Sequence, residues 1–279
     1  MKALRTVAAL AVVTGLGIFS AGCEKLKARD HLNKGVASFK SSRFPEAIQH
    51  FSEAVRLDPT FTTARLYLAT AYMTQYIPGA DSEENRQNAA KAKEHFLKVL
   101  EQDPNNALAI ESMASLNYNE AQGIQDLQQK LKKLDEARVW YERLAKVDPN
   151  RKEAFYSLGV ITWAKWYPAL QSARVKLGMK PDDKGPLKDP KVRQQLKEEW
   201  GAKIEEGIKY LERALQIDPE YDDAMAYMNL LIRERADLAD TPEQYEADIK
   251  VADNWVQKAL ETKKLKAERA AKKGPQKAE

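Results

Sequence analysis

Residues 44–59 read FPEAIQHFSEAVRLDP, and related stretches recur three times along the chain. These are AAKAKEHFLKVLEQDP at residues 89–104, LDEARVWYERLAKVDP at 134–149 and IEEGIKYLERALQIDP at 204–219. In each copy a small residue is followed four positions later by a large apolar residue, and three positions further by another apolar one. This spacing places the three side chains on one face of an α-helix. The closing Asp-Pro ends the helix, because proline disfavours the α conformation in the residue before it.

A second helical stretch with a different apolar face follows each proline: ARLYLATAYM, LAIESMASLNY, AFYSLGVITW and AMAYMNLLI. In the first three stretches a large apolar residue is followed directly by a small residue. In the fourth stretch, Asn229 stands at the position of the small residue. Gly35 occupies the small position ahead of the first Asp-Pro stretch. Small residues let two antiparallel helices approach closely, so the alternation predicts five hairpins, each a helix A followed by a helix B.

This layout resembles the tetratricopeptide repeat, in which helix A carries Leu-Gly or Leu-Ala, helix B carries Ala and Phe, and a proline closes the unit. The resemblance implies an all-α fold, a right-handed tetratricopeptide-type superhelix (α-solenoid) of about five antiparallel hairpins. It covers residues 28–264, with hairpins at about 28–61, 62–106, 107–151, 152–221 and 222–264.

The repeats are longer than in that family. Their prolines lie 45, 45 and 70 residues apart, whereas the family repeat has about 34 residues. We therefore expect elongated helices or insertions between helix A and helix B, at about 74–87, 119–132 and 164–202. In the third insertion, 181–186 is expected to form a loop and Asp189-Pro190 to start a helix that runs to Ile217. Its tryptophans form either an added binding edge or, the interpretation we favour, a cluster that packs the long helices together.

The N-terminus has the pattern of a secretory signal: basic Lys2 and Arg5, an apolar stretch over 7–19, and small residues before Cys23. Cys23 is the only cysteine, which excludes an internal disulfide and a cysteine-based zinc site. The run Ser20-Ala21-Gly22-Cys23 resembles a bacterial lipobox, so residues 1–22 are expected to be a lipoprotein signal peptide and 23–27 a tether lipidated at Cys23. The alternative is a plain signal peptide. The resemblance implies a cell-envelope location on the periplasmic side, and Glu24 slightly favours the outer membrane.

Charge and motif content exclude several function classes. Residues 24–257 carry 35 basic and 38 acidic side chains, which argues against a nucleic-acid-binding body. The charged segment 265–279 is expected to be a solvated tail, either a fraying helix or disordered. The three histidines lie in separate helical stretches, and no catalytic, metal or cofactor motif is present. We therefore expect neither an enzyme nor a cofactor.

The family resemblance implies a concave face lined by helix A residues that lie between the core positions. Mapped by register, these candidate partner-binding residues are Leu66, Tyr67, Met73, Tyr118, Asn119, Tyr156, Trp163, Tyr227 and Arg233. Aromatic side chains on four consecutive helices A predict a groove for a peptide or a partner helix. The alternative is that the elongated helices bury these rings between themselves.

The leading functional hypothesis is a membrane-anchored scaffold that binds a protein or peptide of the cell envelope. The alternative is a small-ligand-binding lipoprotein of the kind associated with solute transporters. The sequence does not fix the oligomeric state.

Overall fold

The computed structural model describes residues 22–180 and 183–273, and every regular element in these ranges is a helix. The predicted signal peptide, apart from Gly22, lies outside the described residues, as does 274–279 of the predicted tail. The helices are α1 (residues 22–40), α2 (Phe44–Leu57), α3 (Thr62–Gln75), α4 (Glu83–Gln102), α5 (Ala107–Gly123), α6 (Leu127–Val147), α7 (Lys152–Lys176), α8 (Pro190–Ile217), α9 (Asp222–Ala236) and α10 (Pro242–Lys273). Within the described residues, no helix combines the length and apolar character that a membrane crossing requires.

The chain divides into two compact units, Met1–Lys133 and Leu134–Glu279. In the first unit α2 packs on α3 and α3 on α4; in the second unit α7 packs on α8, α8 on α9 and α9 on α10. The odd-numbered helices are the predicted helices A and the even-numbered ones are the helices B.

The apolar positions shared by the repeats form the core, as the sequence predicted. The large residue is at most 6% exposed in the helices B α2, α4, α6 and α8, and at most 4% exposed in the helices A α3, α5, α7 and α9. These residues are Phe51, Phe96, Tyr141 and Leu211 in the helices B, and Leu68, Met113, Leu158 and Met228 in the helices A.

The small positions of helix A face those large side chains directly. A Cβ atom added to Gly35 would lie 2.5 Å from Phe51 Cε1, and one added to Gly159 would lie 2.5 Å from Leu211 Cγ. Only glycine avoids these clashes without a shift of the facing side chain or of the helices. The close approach of helices A and B is therefore set by the residue size that the sequence shows.

Each Asp-Pro turn has the same local structure. The aspartate is the C-cap of a helix B, and its carboxylate accepts a hydrogen bond from the backbone N–H two residues later, at 2.9–3.3 Å. The four aspartates are Asp58, Asp103, Asp148 and Asp218. This Asx turn, with the proline inside it, ends each helix B and starts the next helix A.

The elongated hairpins follow the prediction closely. Helix α8 starts at Pro190, where the Asp189 side chain accepts hydrogen bonds from the N–H groups of Lys191 and Val192. In the first unit, Gly79 has a φ of +78°, and a Cβ on Gly123 would lie 2.8 Å from Gly79 N. The absence of side chains at both glycines therefore lets the loop before α4 and the end of α5 come into contact.

The described part of the C-terminal segment is helical. The sequence left 265–279 as either a fraying helix or a disordered tail, and α10 continues to Lys273. Arg269 lies 2.7 Å from Glu220, and Lys266 donates 3.0 Å to the Glu220 carbonyl and pairs with Asp222. Lys266 and Arg269 of this segment thus contact residues at the start of α9 and in the turn before it.

Candidate protein-binding face

The candidate binding residues fall in both compact units. Leu66, Tyr67, Met73, Tyr118 and Asn119 belong to the first unit, and Tyr156, Trp163, Tyr227 and Arg233 to the second. Each unit is therefore described by itself.

In the second unit, five aromatic side chains form a continuous series of ring contacts, which we call the aromatic row. Along the row, Tyr221 lies 5.0 Å from Tyr156, Tyr156 lies 5.6 Å from Tyr227, Tyr227 lies 5.6 Å from Trp163, and Trp163 lies 5.1 Å from Tyr167, all between ring centroids. Tyr156, Trp163 and Tyr167 come from α7, Tyr227 from α9, and Tyr221 from the turn before α9. Sequence reasoning assigned only Tyr156, Trp163 and Tyr227 to this face.

The row is half-buried. Tyr156, Trp163, Tyr221 and Tyr227 pack against the core of the second unit, while Tyr167 is 40% exposed. Desolvation raises the pKa of Tyr221 and Tyr227 above the usual value for a phenol. The rings therefore pack on one another and keep a partly exposed edge.

A buried carboxyl group holds the tryptophan of this row. Trp163 Nε1 donates a hydrogen bond of 2.9 Å to Glu234 Oε1 on α9. Glu234 Oε2 is buried and has no hydrogen-bond partner. Burial raises the pKa of Glu234 to about 7, the Trp163 hydrogen bond lowers it, and the nearby Asp237 raises it further.

Charged side chains lie around the row. Lys152 Nζ is 4.6 Å from the Tyr221 ring centroid and 2.5 Å from Asp218 Oδ2. Arg233, the charged candidate on α9, donates from Nε to Asn229 Oδ1 at 3.2 Å and pairs with Asp253. Arg233 is therefore engaged by neighbours on α9 and α10, although it remains half-buried.

In the first unit the candidates are less concentrated. Tyr67 is 37% exposed and stacks on Phe51, with ring centroids 5.4 Å apart. Leu66, Met73, Tyr118 and Asn119 are half-buried.

A cleft of about 900 Å³ opens in the first unit at the ends of α3 and α5 and the start of α6. Two lysines meet one carboxylate there, with Lys93 Nζ 2.5 Å and Lys133 Nζ 3.3 Å from Glu120 Oε2. Tyr76 also lines the cleft, and burial raises its pKa, as does Glu120. The cleft is open to solvent, and charged side chains stand among apolar ones in its lining.

The third insertion packs as a cluster. Trp166 is fully buried and its ring lies 5.7 Å from Trp200 of α8. Arg174, at the end of α7, is 2.6 Å from Asp237 and donates to the Lys180 and Asp183 carbonyls at 2.9 and 2.5 Å. These contacts support the packing interpretation for Trp166 and Trp200.

Two further features concern metal binding and lipidation. No group of three or more His, Cys, Asp or Glu side chains in residues 22–180 and 183–273 is placed to hold a metal ion. Cys23, the candidate lipidation site, is exposed near the start of the described chain.

The structure does bring together a pair that the sequence placed apart, because His31 Nδ1 lies 3.2 Å from His50 Nδ1.

Comparisons with known proteins address the fold. A family model described as plant specific mitochondrial import receptor subunit TOM20 matches residues 36–119, which is less than half of the chain. A search of the curated proteins found no match.

Among solved structures, the chain is similar to one titled "Crystal structure of MamA protein", at 16% identity and a TM-score of 0.55, over 87% of this chain and 94% of that one. It is also similar to a MamA RS-1 double mutant, at 18% identity and a TM-score of 0.51, over 86% and 96% of the two chains. The fold is of the tetratricopeptide type. The registered hairpins and closing prolines carry that assignment, and at these identities the similarity concerns the fold alone. A tetratricopeptide protein of Thermus thermophilus matches at 17% identity over 74% of this chain and 99% of that one, but its TM-score is only 0.41.

Proposed function

We propose that this protein is a lipid-anchored scaffold of the bacterial cell envelope, which binds a protein partner through the aromatic row of its second unit. The observation that carries the proposal is the row itself. Five aromatic rings, four from α7 and α9 and one from the turn before α9, contact one another in series and keep a partly exposed edge. Rigid aromatic side chains gain large contact area at low entropic cost, which makes them preferred anchors for protein partners.

The occupant that fits the row is a peptide segment of a protein partner. The row supplies ring surface and phenol hydroxyls, while Lys152 and Arg233 near it are already paired with carboxylates. A partner that depended on a single strong ion pair would have to break these contacts. We therefore expect apolar or aromatic side chains of the partner to lie on the rings, with hydrogen bonds at the edges.

The anchor rests on the sequence alone. Cys23 follows the small residues Ser20, Ala21 and Gly22, and it is exposed. Acylation of this cysteine would hold the protein at a membrane on the periplasmic side. Glu24, the next residue, slightly favours the outer membrane. Cys23→Ala should abolish incorporation of labelled palmitate and move the protein to the soluble fraction. Continued membrane association of that variant would reject the lipid anchor.

The binding proposal is tested by a photo-reactive phenylalanine analogue placed at Tyr167, which is 40% exposed. The matched control carries the same analogue at Val139 of α6, a 63% exposed position of the same unit outside the row. In native cells, illumination should give a discrete protein adduct from position 167 alone, and adding Tyr227→Ala should remove it without loss of helicity. Equal adducts from both positions, or none from 167, would exclude the row as the binding site.

The small-ligand alternative requires an enclosed apolar pocket. The clefts of about 900 Å³ in the first unit and about 550 Å³ in the second are open and carry several charged side chains. No described feature favours that alternative over the scaffold.

A further inference from the structure

Two histidines meet across the first hairpin of the fold. His31 of α1 and His50 of α2 are both half-buried, with ring centroids 5.4 Å apart and ring planes tilted by 49°. Their Nδ1 atoms lie 3.2 Å apart. The remaining histidine of the chain, His95, lies on α4 with its ring stacked 6.0 Å from Tyr72.

The hairpin core fixes the spacing of the pair. The ring of Phe51, next to His50, fills the space left by Gly35, one helical turn after His31. Phe51 belongs to a buried cluster that also includes Leu32 and Val36 at its edge. Because α1 and α2 cannot slide past each other without disrupting this packing, the two imidazoles are held facing one another before any ligand binds.

The spacing of the two nitrogens matches a metal site. A zinc ion bound by two imidazole nitrogens at about 2.0–2.1 Å in tetrahedral geometry separates those nitrogens by about 3.3–3.4 Å. The observed 3.2 Å is within about 0.2 Å of that separation. Without an ion, two facing Nδ1 atoms can satisfy each other only when one imidazole donates and the other accepts.

The neighbouring charges suit a cation. Asp30 adjoins His31 on α1, and Glu53 follows His50 by about one helical turn on α2. Asp30 lies 2.7 Å from Lys34, and Glu53 lies 2.5 Å from Arg56. These carboxylates are thus partnered on the surface and stand near the pair without acting as ligands. The protein would supply two nitrogen ligands, and water molecules would occupy the remaining coordination positions of the ion.

We propose that His31 and His50 form a two-histidine site for a borderline divalent transition-metal ion, for which zinc is the test ion. Imidazole nitrogens suit zinc, copper and nickel, whereas magnesium and calcium prefer oxygen ligands. A bound ion would join α1 to α2 and stabilise the first hairpin, because metal binding to the folded state adds to its stability. The proposal is independent of the partner-binding function.

The test uses the full chain with Cys23→Ser, so that no thiol can bind the ion. Because the protein has three histidines, ¹⁵N-labelled histidine gives three sets of ring signals by NMR. Titration with zinc chloride should shift the signals of His31 and His50 with one common midpoint and leave those of His95 in place. Magnesium chloride at the same concentration should shift none of them.

Substitutions then separate a site from adventitious binding. His31→Gln and His50→Gln should each weaken zinc binding by at least about tenfold by calorimetry, whereas His95→Gln should leave it unchanged. His50→Cys, which restores a zinc ligand, should recover most of the affinity. Unshifted His31 and His50 signals at a millimolar excess of zinc would overturn the proposal, as would equal binding by the wild type and both pair variants.

Discussion

Replacing Glu234 with glutamine should remove a large part of the pH dependence of stability in the second unit. The wild-type carboxyl group accepts from Trp163 through one oxygen and buries the other without a partner. Glutamine keeps the acceptor for the indole but cannot ionise. Its amide group has no partner at the buried position, which costs about 1–3 kcal/mol at every pH. The diagnostic quantity is therefore the change of the unfolding free energy with pH, and not its value at one pH.

The sign follows from the raised pKa. Burial raises the pKa of Glu234 from 4.5 to about 7, so the folded protein keeps a proton that the unfolded chain releases in that interval. The contribution of Glu234 to the free energy of unfolding is therefore highest below pH 4.5, falls as the pH rises towards 7, and stays at its lower value above. Each pKa unit is worth about 1.4 kcal/mol, so the total loss is about 3 kcal/mol.

The five tryptophans of the protein give a selective assay. All of them lie beyond residue 133, so tryptophan fluorescence in urea reports the second unit and not the first. Urea titrations of wild type and Glu234→Gln at pH 5, 6, 7 and 8 give the difference in unfolding free energy at each pH, while the other titrating groups cancel. We expect the glutamine variant to gain about 2.5 kcal/mol relative to wild type between pH 5 and pH 8, because part of the total change is already complete at pH 5.

A second variant checks the cause. Trp163→Phe removes the hydrogen bond that lowers the pKa of Glu234, so the pH interval in which stability is lost should extend upwards. A constant difference between wild type and Glu234→Gln over this range would refute the reasoning, since it would place the carboxyl group in contact with water.

Three further predictions concern packing and buried polar groups. Gly159→Ala should destabilise the second unit by about 1–3 kcal/mol in urea titrations, because its Cβ would lie 2.5 Å from a side-chain atom of α8; Gly201→Ala, whose nearest atom is at 3.7 Å, should be neutral or stabilising by up to about 1 kcal/mol. Arg174→Met should cost about 3–5 kcal/mol by leaving the carboxylate of Asp237 buried alone, and adding Asp237→Asn should recover part of the loss in the same assay. Asn85→Asp should increase limited proteolysis at residues 76–82, because the amide group donates two hydrogen bonds of 2.8 Å to that loop; an unchanged cleavage rate would contradict this role.

The helical hairpins were predictable because their determinants are local. Apolar spacing within one helix fixes its buried face, and an Asp-Pro pair marks its end, so neither requires knowledge of the partner helix. The same applies to α8, whose start at Pro190 follows from the Asp189 cap. The form of the segment after 264 was left open between helix and disorder, because the ion pairs of Lys266 and Arg269 with residues near 220 join positions far apart in the chain.

The polar contacts of the candidate face could not be predicted in this way. Trp163 and Glu234 are 71 residues apart, and Arg174 and Asp237 are 63 apart. Such contacts depend on how α7 packs beside α9. The proximity of His31 and His50 could have been inferred weakly from the sequence. Pairing the small position of α1, Gly35, with the large position of α2, Phe51, places the two histidines on facing helices of one hairpin.

The aromatic row was predicted in part. Register placed Tyr156, Trp163 and Tyr227 on one face, and the structure joins them. Tyr221 precedes its helix and Tyr167 was assigned to the third insertion, so helical periodicity did not connect either residue to the row. Whether the row binds a partner stays a prediction.

The Asp-Pro turns suggest how this array evolves. Their geometry is nearly identical at four places, with one carboxylate accepting from the residue two positions later, and an extra residue would break it. The turns from helix A to helix B, in contrast, range from the short links before α2 and α6 to the long connection before α8. Natural variation in chain length is therefore expected to accumulate at the A-to-B ends of the hairpins, where a lineage can add helical turns and new surface while each Asp-Pro junction stays the same.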